Sequence, residues 1–325
     1  MSKALKLGIV GTNFVSSWLC EAVRSLEGVT LSAVYSRTHE KGNAFARAEG
    51  VAAVYTDFDD FLASGIEAVY IASPTCRHVD MARAALQRGL HVLLEKPAVT
   101  KLSELDGLIS LAKARGLALM EAMRPQYDPA LDAVKTALGQ LGEIRSARFE
   151  FCQYSSRYDA FRRGEVLNAF TPEISGAALL DIGVYPLFWA VALFGRPDTV
   201  EAKSVFLDNG FEGGGSVLLG YRGFQVNVVY SKICQSVMPS VILGEEGALT
   251  VDKLTQPDTL TLTLRGKEAV TLMHPHREND LTFELEAFTA RCQGERGDGD
   301  TFAVTRLLYE TLERVCQSAG ISLSF

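Results

Sequence analysis

Positive charge is in short supply in this sequence: 32 lysines and arginines stand against 39 acidic residues, a net charge of −7, and no basic run breaks that balance. A chain without a cationic patch has no electrostatic footprint for nucleic acid or an anionic membrane, so neither is expected as a partner. Long apolar runs are missing as well. The opening MSKALKLGIVG enters a strand pattern at once, with no segment suited to a signal peptide or a membrane span, and the expected location is the cytoplasm. The six cysteines (Cys20, Cys76, Cys152, Cys234, Cys292 and Cys316) show no CxxC or Cys/His metal spacing, as expected for reduced thiols. His274-Pro275-His276 has no third ligand close by in sequence, so no metal site is expected there. Repeats and low-complexity segments are also lacking.

What remains is an ordinary globular composition, 47% hydrophobic and 22% charged, in 325 residues, which is longer than one core usually supports. Two domains are the natural expectation. Leu5 to Val10 predicts a strand, Gly11-Thr12-Asn13 a tight turn, and Phe14 to Leu26 a helix, an arrangement that aims helical N–H groups at a pyrophosphate. A full G-x-G-x-x-G would need glycine at 13 and 16, where this chain has Asn13 and Ser16. Asn tolerates left-handed backbone and Ser is small, so the turn is expected to survive the change.

Val29 to Tyr35 reads as the second strand, ending in Ser36-Arg37-Thr38. No Asp or Glu lies between Val29 and His39 to take a ribose 2′-hydroxyl, whereas Arg37 and Ser36 suit a 2′-phosphate. A solvated loop arginine is the plain alternative, and the residues alone leave it open. The βα rhythm continues through Ala68 to Ala72, Ser73-Pro74-Thr75, and His78 at the start of a helix. It then reaches HVLLEKP, His91 to Pro97, a run apolar after its first member that stops at two charges. Pro97 lacks an N–H and restricts Lys96, so Glu95 and Lys96 are expected at a strand's carboxyl end, where open parallel sheets bind ligands.

Leu117 to Glu121 predicts a sixth strand, and near Arg124-Pro125 the rhythm changes. Beyond it, alternation in RSARFEFCQY, QVNVVY and TLTLTL predicts a mixed or antiparallel sheet with one covered face. The fold class expected is α/β: an N-terminal doubly wound parallel sheet over 1–124, then over 125–325 an α/β domain with a large open, mostly antiparallel sheet. Two closing helices, Leu281 to Cys292 and Thr301 to Ser318, flank the polar GERGDGD. Within the second domain, Asp181 and Tyr185 stand one turn apart if helical, with Gly183 and Pro186 weakening that turn. A core tyrosine satisfied by Asp181 is equally consistent with the pattern.

Taken in order, Gly8-Ile-Val-Gly11, Ser36-Arg37, Ser73-Pro74-Thr75 with His78, Glu95-Lys96-Pro97, Arg124 with Pro129, and Asp181-x-Gly183-x-Tyr185 resemble the Gfo/Idh/MocA oxidoreductases over nearly the whole chain. Tyrosine at 185 makes it most similar to the branch containing dimeric dihydrodiol dehydrogenase and NADP-dependent xylose dehydrogenase. The resemblance implies a Rossmann domain, a substrate held over a nicotinamide, a homodimer or homotetramer formed through the C-terminal sheet, and a cis Lys96–Pro97 bond. It implies NADP(H), with NAD as the alternative, bound by Gly11, Thr12, Asn13, Phe14, Ser36, Arg37, Thr38, Ser73, Pro74, His78, Glu95, Lys96 and Arg124. Catalysis would fall to Lys96, Tyr185 and Asp181, with Asn168 joining these three in holding a sugar or cyclic polyol. Tyr185 would carry the proton and Lys96 would polarise the substrate oxygen, since an ammonium beside a phenol favours its ionisation. Arg157, Arg162 and Arg163 are further candidates for polar substrate contacts. Two rival functions share this architecture: a ligand sensor acting on a protein partner, as in the galactose-regulon repressor, and cofactor-recycling glycoside cleavage.

Overall fold

The structure is a computed structural model whose described residues are 4–165, 167–294 and 302–323. In chain order the first elements are β1 (Leu5–Val10), α1 (Phe14–Arg24), β2 (Val29–Tyr35), α2 (His39–Glu49), β3 (Ala53–Tyr55), α3 (Phe58–Leu62), β4 (Ala68–Ile71), α4 (His78–Gln87), β5 (His91–Glu95), α5 (Leu102–Arg115) and β6 (Leu119–Ala122). All six strands pair in parallel, in the order β3-β2-β1-β4-β5-β6. Strand order reverses between β1 and β4, and in such sheets the crevice outside the carboxyl ends at that point receives the ligand. The central strands lack alternation because both faces are covered: all four residues of β4 are buried, as are Val92, Leu93 and Leu94 of β5. Gly8 belongs inside β1 for packing reasons. A Cβ there would stand 2.7 Å from Phe61 of α3 and equally close to Ile66.

The second set of elements is α6 (Pro129–Leu138), β7 (Ile144–Cys152), α7 (Tyr158–Arg162), α8 (Pro172–Ser175), α9 (Val184–Phe194), β8 (Thr199–Phe206), β9 (Glu212–Tyr221), β10 (Phe224–Ser231), β11 (Ser240–Gly244), β12 (Gly247–Val251), β13 (Leu260–Leu264) and β14 (Val270–Leu272). The chain closes with α10 (Leu281–Cys292) and α11 (Ala303–Ala319). The eight strands run β14-β13-β12-β11-β7-β10-β9-β8, antiparallel throughout except for the β7–β10 pair. Helix α9 packs against β7 and β10, whose residues Ala147, Phe149, Val226 and Val228 are buried, and α11 packs against α9 and β8. On the opposite face, Thr250, Val241, Arg148, Asn227, Leu218 and Glu201 form a row across neighbouring strands, half-buried or exposed.

The sheet departs from the sequence reading in three places. β12 and β14 were not anticipated, and β9 starts at Glu212, where the sequence pattern leads one to expect a strand over Ser216 to Tyr221. Three successive glycines, Gly213 to Gly215, belong to this strand, where neighbours crowd in: a Cβ on Gly214 would lie 2.8 Å from the Tyr230 carbonyl oxygen.

The chain forms two compact units, and the partition differs from the expected break at 124/125. The first passage falls between Tyr127 and Asp128, and the chain returns to the first unit at Arg277. Helix α10 explains the return. Its i, i+4, i+7 residues Leu281, Leu285 and Phe288 are completely buried in the same core as Leu19 and Val23 of α1. Asn279 adds a hydrogen bond to the Trp18 carbonyl at 2.9 Å, and Asp280 pairs with Arg124 at 2.9 Å. The expected helix start at Thr301 lies outside the described residues.

Candidate functional site

The turn after β1 works with one positive-φ glycine. Gly11 has φ +104°, and a Cβ there would meet the Ala72 carbonyl oxygen at 2.6 Å, so only glycine permits this approach of the β1 and β4 ends. Asn13 acts otherwise than expected. Its backbone is extended (φ −94°, ψ 177°), not left-handed, and it caps α1: its side chain accepts from the Ser16 N–H at 3.0 Å and donates to the Ala72 carbonyl at 2.9 Å. Ser16 is fully buried, which its small side chain allows. The missing glycines are thus replaced by a cap and a close-packed serine.

Around this turn, at the reversal of strand order, lies a cavity of about 670 Å³ walled by the carboxyl ends of β1, β2 and β4. Gly11, Thr12, Asn13, Ser36, Arg37, Thr38, Ser73 and Pro74, eight of the residues expected to hold a cofactor, line it. Lys41 and Arg77 also line it and were missed, although Lys41 follows a Thr38 that caps α2, a spacing that brings the first helical turn back over the β2 end. No carboxylate stands among the described lining residues. Phe14 lies elsewhere: it is 73% exposed and borders a shallow groove with Ser17, Trp18 and Glu21.

The HVLLEKP stretch ends β5 at Glu95, and the Lys96–Pro97 bond is cis. His78 is buried beneath it, with Nδ1 2.9 Å from the Pro97 carbonyl and Nε2 2.8 Å from the Ser73 carbonyl. It therefore joins the β4 and β5 ends and does not line the cavity. Burial pushes its pKa below the usual value, more than the two carbonyl oxygens raise it. The Tyr70 hydroxyl donates to Glu95 at 2.5 Å, and burial raises the Glu95 pKa despite this bond and the nearby Lys96 and Arg124 charges. Arg124 stacks over Trp18, 5.2 Å from the ring centroid, while pairing with Asp280.

In the second unit, Leu179–Gly183 forms a π-helical turn that runs into α9. The expected α turn from Asp181 to Tyr185 is widened there. Gly183 makes room for the Tyr230 ring, which a Cβ would approach to 2.9 Å. The buried Glu212 carboxylate accepts the Leu179 N–H at 2.9 Å and anchors the start of the turn; burial raises its pKa. Tyr185 is 7% exposed, its ring edge-on to Phe151 with centroids 5.8 Å apart. Asp181 pairs with Lys232, Oδ2 to Nζ 2.8 Å. Lys232 also donates to the Ala169 carbonyl at 3.0 Å, beside Asn168 in the short 3₁₀ segment Asn168–Phe170. A second cavity of about 700 Å³, walled by Tyr158, Phe161, Leu167, Phe170 and Phe206, includes Arg162. Arg163 instead pairs with Glu165 at 2.9 Å.

Residues 5–123 match the sequence profile of an oxidoreductase family with an NAD-binding Rossmann fold, and residues 135–250 match that of the GFO/IDH/MocA C-terminal domain. The chain belongs to the Gfo/Idh/MocA oxidoreductase family. This family member is 36% identical over 320 residues to a scyllo-inositol 2-dehydrogenase (NADP(+)) of Bacillus subtilis, a match covering 98% of both chains. A trans-1,2-dihydrobenzene-1,2-diol dehydrogenase of Mus musculus is 27% identical over 274 residues, 82% of this chain and 80% of the relative. Among solved structures, a 3-ketoreductase from Actinomadura kijaniata in complex with NADP and TDP-benzene superposes with a TM-score of 0.84, covering 98% of each chain at 23% identity. That likeness shows a shared fold.

Sequence reasoning had no signal for Glu212, which precedes a glycine run. Lys232 did carry one: a lysine directly after the alternating QVNVVYS has to find partners if the strand end is buried. His274 and His276 stand apart from the site; the former contacts the Pro275 carbonyl and the latter lies 3.7 Å from Asp258. No group of three or more His, Cys, Asp or Glu among the described residues could hold a metal ion. Nor is any described helix long and apolar enough to cross a membrane.

Proposed function

We propose that this protein is an NADP(H)-dependent dehydrogenase that interconverts a secondary hydroxyl and a carbonyl on a sugar or cyclic polyol. The observation that carries the reading is the cavity at the β1–β2–β4 ends, with Ser36, Arg37, Lys41 and Arg77 in its wall and no carboxylate among the described lining residues. Gly11 leaves the backbone open to a pyrophosphate, and the cations suit the extra phosphate of NADP(H) better than the bare ribose hydroxyls of NAD(H). The scyllo-inositol dehydrogenase relative, aligned from end to end, favours the same cofactor and a polyol substrate.

When bound, the nicotinamide accepts or supplies the hydride. The chain's own task is the proton and the geometry. Tyr185 exchanges the proton with the substrate oxygen, Lys96 polarises that oxygen, and Asp181 accepts a hydrogen bond from a neighbouring substrate hydroxyl. Asn168 adds a further polar contact. Glu95 and His78 act behind Lys96, holding the cis bend and the Ser73 loop in register. Assembly uses the uncovered face of the eight-stranded sheet in a homodimer or homotetramer, and the reduced thiols suit the cytoplasm.

The test is to incubate the purified protein with NADP and a panel of inositols and aldoses while following reduced cofactor at 340 nm, the usual absorbance of a reduced nicotinamide, about two decades of substrate concentration being enough to define KM. Turnover is expected for wild type and is lost in Lys96→Ala and Tyr185→Phe, both of which still bind NADPH. Near-normal kcat in either variant removes that residue from the mechanism. No turnover on the whole panel would favour a sensor, and release of a leaving group without net reduced cofactor would favour glycoside cleavage.

A further inference from the structure

We propose that Lys232 is a positioning residue of the substrate site: from the end of β10 it ties the Asp181 carboxylate and the Asn168–Phe170 segment to one ammonium, so that both substrate contacts are set before substrate arrives. The inference rests on the dehydrogenase reading above and adds to it a residue that touches neither substrate nor cofactor.

Lys232 is only 5% exposed, which is unusual for a lysine and requires partners that replace water. It has them on every side. Asp181 Oδ2 lies at 2.8 Å and the Ala169 carbonyl oxygen at 3.0 Å, and the rings of Phe170 and Phe211 face the ammonium with centroids at 5.0 and 5.4 Å. The backbone beneath is equally fixed: the Lys232 N–H donates to the Gly213 carbonyl at 2.9 Å, and its own carbonyl accepts from the Ser155 N–H at 2.9 Å. A lysine anchored at both ends has little freedom to give up when it grips a partner.

The two groups it grips differ in surroundings. The Asp181 side chain remains 45% exposed, against 7% for Lys232, so the carboxylate is open to a substrate hydroxyl while its cation is not open to water. Ala169 places the second grip next to Asn168. Asn209 Nδ2 holds the following Phe170 carbonyl at 2.7 Å, so this segment is pinned from two directions by side chains of the β domain. Without the ammonium, Asp181 would lose an ion-pair partner and the Ala169 carbonyl a donor. The rings and the sheet would remain. Lys232 therefore acts on the reaction through Asp181.

Steady-state kinetics of four proteins, wild type, Lys232→Met, Asp181→Asn and the double variant, with NADP and the best polyol of the panel, test this. Lys232→Met is expected to lower kcat/KM by about 10- to 100-fold, mostly through KM, while the same change in the Asp181→Asn background alters it by less than about threefold. Lys232→Arg, which keeps a cation, is expected to recover part of the loss in KM. Circular dichroism melts identify variants that fail to fold. Should Lys232→Met be one, Lys232→Arg alone and combined with Asp181→Asn give the same comparison. Equal losses in both backgrounds, or a Lys232→Met enzyme within about twofold of wild type, would overturn the inference and leave the dehydrogenase reading standing. A wild-type kcat/KM for Asp181→Asn would take Asp181 out of the substrate site and overturn the inference with it, whereas no turnover by wild type would overturn the dehydrogenase reading itself.

Discussion

Glu284 offers the sharpest test of the physics inside the first unit. Its side chain lies in α10, completely buried, and neither carboxyl oxygen has a hydrogen-bond partner among the described residues. Burial raises its pKa well above the usual value, the charge of Glu95 and then that of Asp280 add to the rise, and Arg124 opposes it while already paired with Asp280 at 2.9 Å. An acid held neutral in the fold and ionised when unfolded binds an extra proton in the native state, so its contribution to stability falls as pH rises. The fall begins near the unfolded value and runs at about 1.4 kcal/mol per pH unit until the folded value is passed. Glu284→Gln keeps the shape and removes the titration. It is expected to match wild type near pH 5 and to exceed it by up to about 3 kcal/mol at pH 7. The two tryptophans make the assay local, because Trp18 lies in the first unit and Trp189 in the second. With Trp189→Phe as the common background, urea unfolding followed by Trp18 fluorescence reports the unit that holds Glu284. A stability difference between the two proteins that is constant with pH, or a loss of stability at pH 7, would refute the reasoning.

Three further outcomes follow from the same geometry. Gly11→Ala forces a β-carbon against the Ala72 carbonyl at a backbone angle that L-residues avoid; NADPH affinity by fluorescence titration is expected to fall at least tenfold, about 1.4 kcal/mol, with a lower melting temperature. Arg37→Ala should weaken NADPH much more than NADH in the same titration, and equal effects on the two would remove the 2′-phosphate assignment. Gly183→Ala drives a methyl group into the Tyr230 ring beside the Asp181 turn, costing about 1–3 kcal/mol in urea unfolding and lowering kcat/KM; wild-type values for both would show that the turn tolerates displacement.

Much of the first unit was legible because its signals are local. Short, mostly apolar runs ending at Gly11, Ser36, Ser73 and Glu95 mark the strands, and the first three of those ends wall the cavity. The role of Asn13 was not legible, since a cap and a left-handed residue have the same letter and differ only in the backbone that tertiary contacts select. The second unit hid more. A π turn leaves no periodicity of its own, and the partners of Asp181 come from residues far along the chain, at Ala169 and Lys232. Helix α10 was read correctly as a helix but assigned to the wrong unit, because its buried stripe would suit either core.

That helix also constrains how the protein can be made or rebuilt. A fragment ending at Tyr127 contains every strand of the six-stranded sheet yet lacks Leu281, Leu285 and Phe288, three buried side chains together worth roughly 5–9 kcal/mol of apolar burial. On the ribosome the nucleotide-binding half cannot finish folding until most of the other half has been synthesised. Swapping that half between relatives as one continuous block would leave a greasy furrow beside α1, so any chimera has to carry the late helix along with the early sheet.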